Sequence, residues 1–344
     1  MYPPILTIAI PTYNRFETVC ANLTRLVPQL IPAVCVLVID NASTDGTRGL
    51  NDWVRANYPD APIRVVRNVA NVGAGANVTR SFELVNTPWI WTLSDDDPVH
   101  PGAVDGVLDV IARNPTASAI NMQSTIIPED VRRPADLELH CESVADLATH
   151  LDYMPNLLLS STGVYRVAAA RAVLRYAYIS LNTVAPHIAI MLSTLEAGLG
   201  DIVLSGHTVV THKYDLDAVW ATEVWLAVAD VFTLVRDQKA RAILLSKYTH
   251  THPGWVDTRK LLKVLLPLMM DASTRQMAVT DYLYSWSKRL QFTKRSVALL
   301  FMSFALEVMG IAGVVLLSVL FPFRPSAKPV TSDALLRTAI DGRA

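Results

Sequence analysis

The chain has 344 residues, enough for one large domain with an addition or for two domains, and its formal net charge of −1 supplies no basic field for nucleic acid. Three cysteines, Cys20, Cys35 and Cys141, stand at unrelated spacings that make neither a disulfide framework nor a metal site, as a reducing compartment allows. Hydrophobic residues are 51% of the chain, high for a soluble protein, and the excess lies toward the C-terminus. The opening MYPPILTIAIP has no basic n-region and too short an apolar run for a signal peptide, so this end is expected in the cytosol.

In chain order, residues 5–11 (ILTIAIP) form a short apolar run of β type that stops at Pro11, before the polar turn Thr12, Tyr13, Asn14, Arg15. Phe16, Val19, Leu23, Leu26 and Leu30 then recur at roughly helical spacing. A second apolar strand, 33–39, ends at Asp40 and the turn-rich NASTDGT; a third, 63–66, leads through Arg67 and Asn68 into NVGAGAN and another helix. The fourth, WIWTL at 89–93, runs into Ser94 and three consecutive carboxylates, Asp95, Asp96 and Asp97. Continuous apolar strands separated by helices predict an α/β fold whose mostly parallel sheet is covered on both faces. Ligands of such sheets bind beyond the carboxyl ends of the strands, where all these polar turns fall.

Adjacent aspartates repel one another unless a cation sits among them. Hard oxygen ligands on a short turn suit Mg²⁺ or Mn²⁺, which in turn holds a diphosphate. Taken alone, an acidic triplet is more often a solvated turn, here with Asp97 capping the helix after Pro98; its place at a strand end within a set of polar turns reverses that weighting. NVGAGAN lacks a third glycine and does not follow the first strand, which argues against a dinucleotide-binding Rossmann unit.

The order and spacing of these segments resemble the GT-A fold of family 2 glycosyltransferases. The matching residues are TIAIPTYNR, VIDNASTDGT, the N-x-x-N-x-G-x-x-x-N run at Asn68, Asn71, Gly73 and Asn77, and LSDDD at 93–97, covering about the first 105 residues. The resemblance implies a nucleotide-diphosphate sugar as donor, bound through Pro11, Thr12, Tyr13, Arg15, Asp40, Asn41, Asn71, Gly73, Asn77 and Asp95. Tyr13 can stack on a base, and Asp40 can accept a base N–H. It also implies Mg²⁺ or Mn²⁺ as cofactor. The sequence departs from the family's commoner acidic pattern: alignment on Pro101-Gly102 puts Ser94 where an Asp is usual, leaving Asp96 as the principal expected metal ligand, Asp97 beside it, and Asp95 to replace the missing ribose contact.

Gly102–Arg113 reads as a helix, 117–127 as strand-like, 128–150 as a polar loop or edge insertion, and 167–176 as a short helix after the loop and strand of 159–166. A helix from Pro186 to Glu196 ends at Gly198. In the family a catalytic carboxylate opens this helix; His187 stands at that position, and a neutral imidazole can take the proton of an acceptor hydroxyl near pH 7. The plainer alternative is a packing role for a histidine in a first helical turn. Past a strand at 202–210, the resemblance implies His212 as a further contact to metal or diphosphate, with Lys213 able to offset phosphate charge.

The sequence thus divides into a GT-A catalytic domain at 1–215, a helical extension at 216–292, a hydrophobic anchor at 293–323 and a polar tail at 324–344. YLYSWSKRLQFTKR within the extension mixes aromatics and bases, as an interfacial helix does. Residues 296–321 would extend about 39 Å as a helix, beyond the roughly 30 Å of a bilayer core; a re-entrant anchor bent near Gly310 and Gly313 and a buried soluble helix are the alternatives. Lys288, Arg289, Lys294 and Arg295 precede the run, placing the catalytic part on the cytoplasmic side. The expected function is metal-dependent, inverting sugar transfer from a nucleotide-diphosphate sugar to a hydroxyl of a glycan or lipid-linked acceptor at the membrane. An inactive GT-A-like scaffold and a sugar nucleotidyltransferase are the competing readings.

Overall fold

The computed structural model describes residues 3–211 and 227–251. Its first half alternates strands β1 (Leu6–Thr12), β2 (Val34–Asp40), β3 (Ile63–Arg67) and β4 (Trp89–Thr92) with helices α1 (Phe16–Leu26), α2 (Leu50–Asn57) and α3 (Ala74–Leu84). β1 pairs in parallel with both β2 and β4, and β2 with β3. The chain then adds α4 (Ala103–Arg113), β5 (Ala119–Ser124), β6 (Glu138–Cys141), α5 (Val144–His150), α6 (Met154–Leu158), β7 (Gly163–Arg166), α7 (Val167–Ala172), α8 (Leu174–Ile179), α9 (Pro186–Glu196) and β8 (Ile202–Val210). All eight strands form one sheet in the order β3-β2-β1-β4-β7-β5-β8-β6.

Strand alternation explains the two cores. Leu6, Ile8 and Ile10 point to one face and pack with Val19, Leu23 and Leu26 of α1 and with Val104 and Val107 of α4. Ala9, Leu37, Ile39 and Ile90 point to the other, against Phe82 of α3, Leu147 of α5 and Ile188 of α9. Each such Leu, Ile or Phe contributes about 1.5–3 kcal/mol by leaving water. Val231, Phe232, Leu244 and Tyr248 of the 227–251 segment join this second core.

The structure carries β1 one residue past Pro11, to Thr12, which pairs with Asp40. The Thr12 carbonyl accepts from Asn41 on the β2 side, whereas the Ala9 carbonyl accepts from Leu93 on the β4 side. Pro11 shares the parity of Ala9, so its missing N–H faces the level at which β4 has already given way to the acidic turn. No ladder bond is lost there.

Two further expectations change in detail. The polar 128–150 stretch contains an edge strand, β6, and a helix, α5, whose Ser143–Asp146 capping box fixes its start. Glu138 and the exposed His140 keep that edge polar. The 167–176 helix is two short ones broken at Val173. β7 inserts antiparallel between β4 and β5, so the parallel order of the first half does not continue across the sheet. Among the described residues no helix is long and apolar enough to cross a membrane. The expected interfacial helix and the apolar run at 296–321 lie outside the described residues.

Candidate active site

Parallel register brings the carboxyl ends of the first strands level: Thr12 stands beside Asp40, and Asp40 beside Arg67. The Asp40 carboxylate is buried, accepts the Ser43 backbone N–H at 2.9 Å and is paired with Arg67, whose other nitrogen donates to the Ser43 carbonyl at 2.8 Å. Half-buried Tyr13 follows Thr12 on the β1–α1 turn. Asn14, at φ 52°, accepts the Thr44 N–H at 2.7 Å, and the Arg15 N–H donates to the Thr47 hydroxyl at 3.2 Å, so this turn is braced against the one after β2.

Four side-chain amides tie the β3–α3 loop to the end of β2. Asn41 donates to Asn71 Oδ1 at 2.7 Å and accepts from Asn68 at 2.9 Å and from the Val72 N–H at 3.0 Å. Asn68 also donates to Asn77 Oδ1 at 2.9 Å, and Asn77 donates to the Ile39 carbonyl at 3.0 Å. Asn71 Oδ1 accepts the Gly73 N–H at 2.9 Å; Gly73 enters α3 at φ 84°, a conformation that favours glycine. Asn41 and Asn77 are therefore buried braces, while Asn71 is exposed. Asn68 Oδ1 is buried and has no partner among the described residues.

The acidic turn is wound around two side chains from elsewhere. Asn22 of α1 donates to the carbonyls of Ser94 at 3.2 Å and Asp97 at 3.0 Å, and Ser161 Oγ accepts the Ser94 N–H at 2.9 Å while donating to Asp97 at 2.5 Å. The structure turns Asp97 inward, only 3% exposed, which departs from its expected place as a metal ligand: its carboxylate helps to hold the turn. Asp95 is also buried and accepts from Thr12 Oγ1 at 2.6 Å and Arg15 Nη1 at 3.0 Å. Burial pushes its pKa up to about 6 against the pull of Arg15 and Thr12. Asp96 alone of the three is open, with its side chain 46% exposed; it accepts from the Ser94 hydroxyl and from Arg15, each at 2.5 Å. Partial burial raises its pKa, but the Ser94 hydroxyl and then Arg15 outweigh this and hold it below the usual range.

Among the described residues no three His, Cys, Asp or Glu side chains converge as a ready metal cage. The chemistry of the turn still fits Mg²⁺ or Mn²⁺ in the form in which such ions commonly serve, held by one or two carboxylates and completed by diphosphate oxygens and water. Asp96, with Asp95 next to it, is the set that fits. His212 and Lys213 lie outside the described residues.

His187 opens α9 as expected, but it is 5% exposed, and its Nε2 lies 3.1 Å from the Leu158 carbonyl. A carbonyl only accepts, so Nε2 carries the hydrogen and Nδ1 keeps the lone pair. Burial pushes the imidazole pKa down to about 4, the bond to Leu158 opposing it weakly.

Arg67, Asn22 and Ser161 were not foreseen. Arg67 was legible once β2 and β3 were aligned in parallel, because it falls opposite Asp40. Asn22 carries a fainter signal, a polar residue between Val19 and Leu23 on the apolar stripe of α1. Ser161 has none, since it meets the turn only through the antiparallel insertion of β7.

The family described as Glycosyl transferase family 2 matches residues 7–177. The chain is 37% identical over 97 residues to an abequosyltransferase of Salmonella typhimurium, a stretch covering 27% of this chain and 28% of that protein. It is 28% identical over 128 residues, 34% of this chain and 39% of the relative, to an N-acetylglucosaminyl-diphospho-decaprenol L-rhamnosyltransferase of Mycobacterium tuberculosis. The matched stretches thus span well under half of these relatives. Among solved structures, S. aureus TarS 1-349 in complex with UDP aligns with a TM-score of 0.57 at 15% identity, covering 93% of each chain. A mannosyltransferase of Pyrobaculum calidifontis in complex with GDP-Man and Mn²⁺ aligns at 0.51 and 16% identity, covering 94% of this chain and 89% of that one. At such identity the structures speak for the fold, which is GT-A. With the strand-end turns in the expected order, the fold and the family match agree: through residues 7–177 the chain belongs to glycosyl transferase family 2.

Proposed function

We propose that the protein transfers a sugar from a nucleotide-diphosphate sugar to a hydroxyl of a glycan or lipid-linked acceptor, with inversion at the anomeric carbon. One observation carries this reading: Thr12, Asp40, Asn41, Asn71, Asp95 and Asp96 converge at the carboxyl ends of adjacent parallel strands, with Arg15 across the last two. In this reading Tyr13 stacks on the base, and Asp40 accepts a base N–H. Pro11 and Gly73 keep backbone close to the nucleotide. Asp95 accepts from a ribose hydroxyl, and Arg15 pairs with diphosphate oxygens.

In the transfer the acceptor oxygen forms its bond to the anomeric carbon as the bond from that carbon to the phosphate oxygen breaks. The electron pair leaves with the nucleoside diphosphate, and the acceptor proton passes to a base. Mg²⁺ or Mn²⁺, held by Asp96, would neutralise charge on the leaving diphosphate. His187 can serve as the base only through Nδ1, because its Nε2–H is committed to Leu158. The mycobacterial relative's name specifies a diphospho-decaprenol acceptor, which supports a lipid-linked acceptor here, as does the apolar run at 296–321. That run would hold the protein at the membrane with its catalytic domain on the cytoplasmic side.

One observation favours a second reading, a donor-binding scaffold without turnover: position 187 carries no carboxylate, and its imidazole is buried and weakly basic. A thermal-shift screen of nucleotide sugars with Mn²⁺, followed by donor hydrolysis with detergent-solubilised protein, separates the two. Stabilisation with hydrolysis supports the transferase; stabilisation with no hydrolysis or transfer supports the scaffold.

A further inference from the structure

Both oxygens of the one open aspartate are already engaged. Asp96 Oδ1 accepts from Ser94 at 2.5 Å, and Asp96 Oδ2 accepts from Arg15 Nη1 at 2.5 Å, the same nitrogen that lies 3.0 Å from Asp95 Oδ1. One arginine nitrogen therefore sits between the two carboxylates and occupies oxygens that Asp96, with Asp95 beside it, would offer a divalent ion. The backbone and the side chain of Arg15 are held very differently. Its N–H is fixed by Thr47, and its neighbour Asn14 accepts the Thr44 N–H, whereas the Arg15 side chain is 49% exposed and, among the described residues, anchored by these two ion pairs alone. The guanidinium can leave the aspartates by side-chain rotation alone, with the turn staying in place.

We infer that Arg15 is the resident counter-cation of the acidic turn: it competes with the divalent metal for Asp95 and Asp96 and yields to it when a diphosphate draws the guanidinium away. This rests on the assignment of Asp96 to the metal in the proposed function. Two physical steps carry it. A guanidinium and a divalent cation on the same pair of carboxylate oxygens repel one another and exclude one another sterically, so metal must displace Arg15 from at least one aspartate. A diphosphate can take both prongs of a planar guanidinium, where here one nitrogen serves two carboxylates, and so competes for it. Nucleotide diphosphate binding then raises the affinity for metal, and by linkage the metal strengthens nucleotide binding by the same factor. The turn resists divalent metal without nucleotide and accepts it with the donor.

The test is titration of the full-length, detergent-solubilised protein with Mn²⁺ alone, followed by the electron paramagnetic resonance of free Mn²⁺, and again in the presence of UDP. Arg15→Gln should bind Mn²⁺ alone at least tenfold more tightly than wild type, and UDP should enhance its Mn²⁺ affinity less. Arg15→Lys, which keeps the charge but reaches two carboxylates poorly, should fall between them, and it serves if the glutamine variant folds badly. Asp96→Asn should lose Mn²⁺ binding. Arg15→Gln and Arg15→Lys affinities equal to or weaker than wild type, with Asp96→Asn still abolishing binding, overturn the counter-cation alone. Undiminished Mn²⁺ binding by Asp96→Asn overturns the metal assignment, and the inference with it.

Discussion

His187 makes a prediction that bears on both stability and chemistry. The imidazole is 5% exposed, and burial brings its pKa from the ordinary 6.5 down to about 4. The folded state therefore binds a proton less readily than the unfolded chain. The contribution is fully present above pH 6.5 and is lost as the pH falls toward 4. The whole shift corresponds to about 3 kcal/mol, of which about 2 kcal/mol disappears between pH 7 and pH 5. His187→Gln keeps an amide N–H for the Leu158 carbonyl and has nothing to titrate. Urea unfolding of both proteins at pH 7 and pH 5, followed by the fluorescence of buried Trp89 and Trp91, should show wild type losing about 2 kcal/mol more than the variant. Equal losses would refute a buried neutral imidazole. The same variants test the base. Proton transfer by His187 requires turnover to fall with donor affinity intact, and an acidic limb of the pH–rate profile near 4 rather than 6.5.

Asp96→Asn should abolish metal-dependent thermal stabilisation by nucleotide diphosphate while leaving the unliganded melting temperature near that of wild type; unchanged stabilisation with and without EDTA would refute the assignment. Asn77→Ala strands the Ile39 carbonyl and one Asn68 bond, and should cost about 2–4 kcal/mol in urea unfolding. Ser161→Ala removes the hydroxyl partner of Asp97 and should cost about 1.5–3 kcal/mol, with a weaker response to Mn²⁺ if the turn loosens. Deletion of 282–344 should move the protein from the membrane pellet to the high-speed supernatant with nucleotide binding retained; full-length protein in that supernatant without detergent would refute the anchor.

The parallel half of the sheet was legible because β1 and β2 are apolar runs of seven residues, and these strands, like the shorter β3 and β4, each end in a polar turn, a pattern that admits few other arrangements. Its order places the turns after β1, β2, β3 and β4 side by side, so the residues assigned to donor binding from Pro11 to Asp95 fall in one region. The mixed half was less legible. β6 is a four-residue edge strand among polar residues, and β7 pairs antiparallel with two strands remote from it in sequence. Neither signal survives at the level of local pattern, since each is settled by which sheet edge remains unpaired.

Side-chain direction was the least legible feature, and the acidic turn shows why. Asp95, Asp96 and Asp97 are chemically identical in the sequence, yet one is clamped between Thr12 and Arg15, one is open, and one is turned to Ser161. Their fates depend on residues 64 to 83 positions away, so no spacing within the triplet could sort them. The division follows from the cost of leaving three adjacent carboxylates together: Asp97 takes a hydroxyl in the interior, Asp95 a hydroxyl and half of an arginine, and Asp96 the remainder of that arginine at the surface. Asp96 is thus both the carboxylate most available to a metal and the one most dependent on Arg15 for its neutralisation. An acceptor or metal approaching from solvent meets that pair before any other part of the turn.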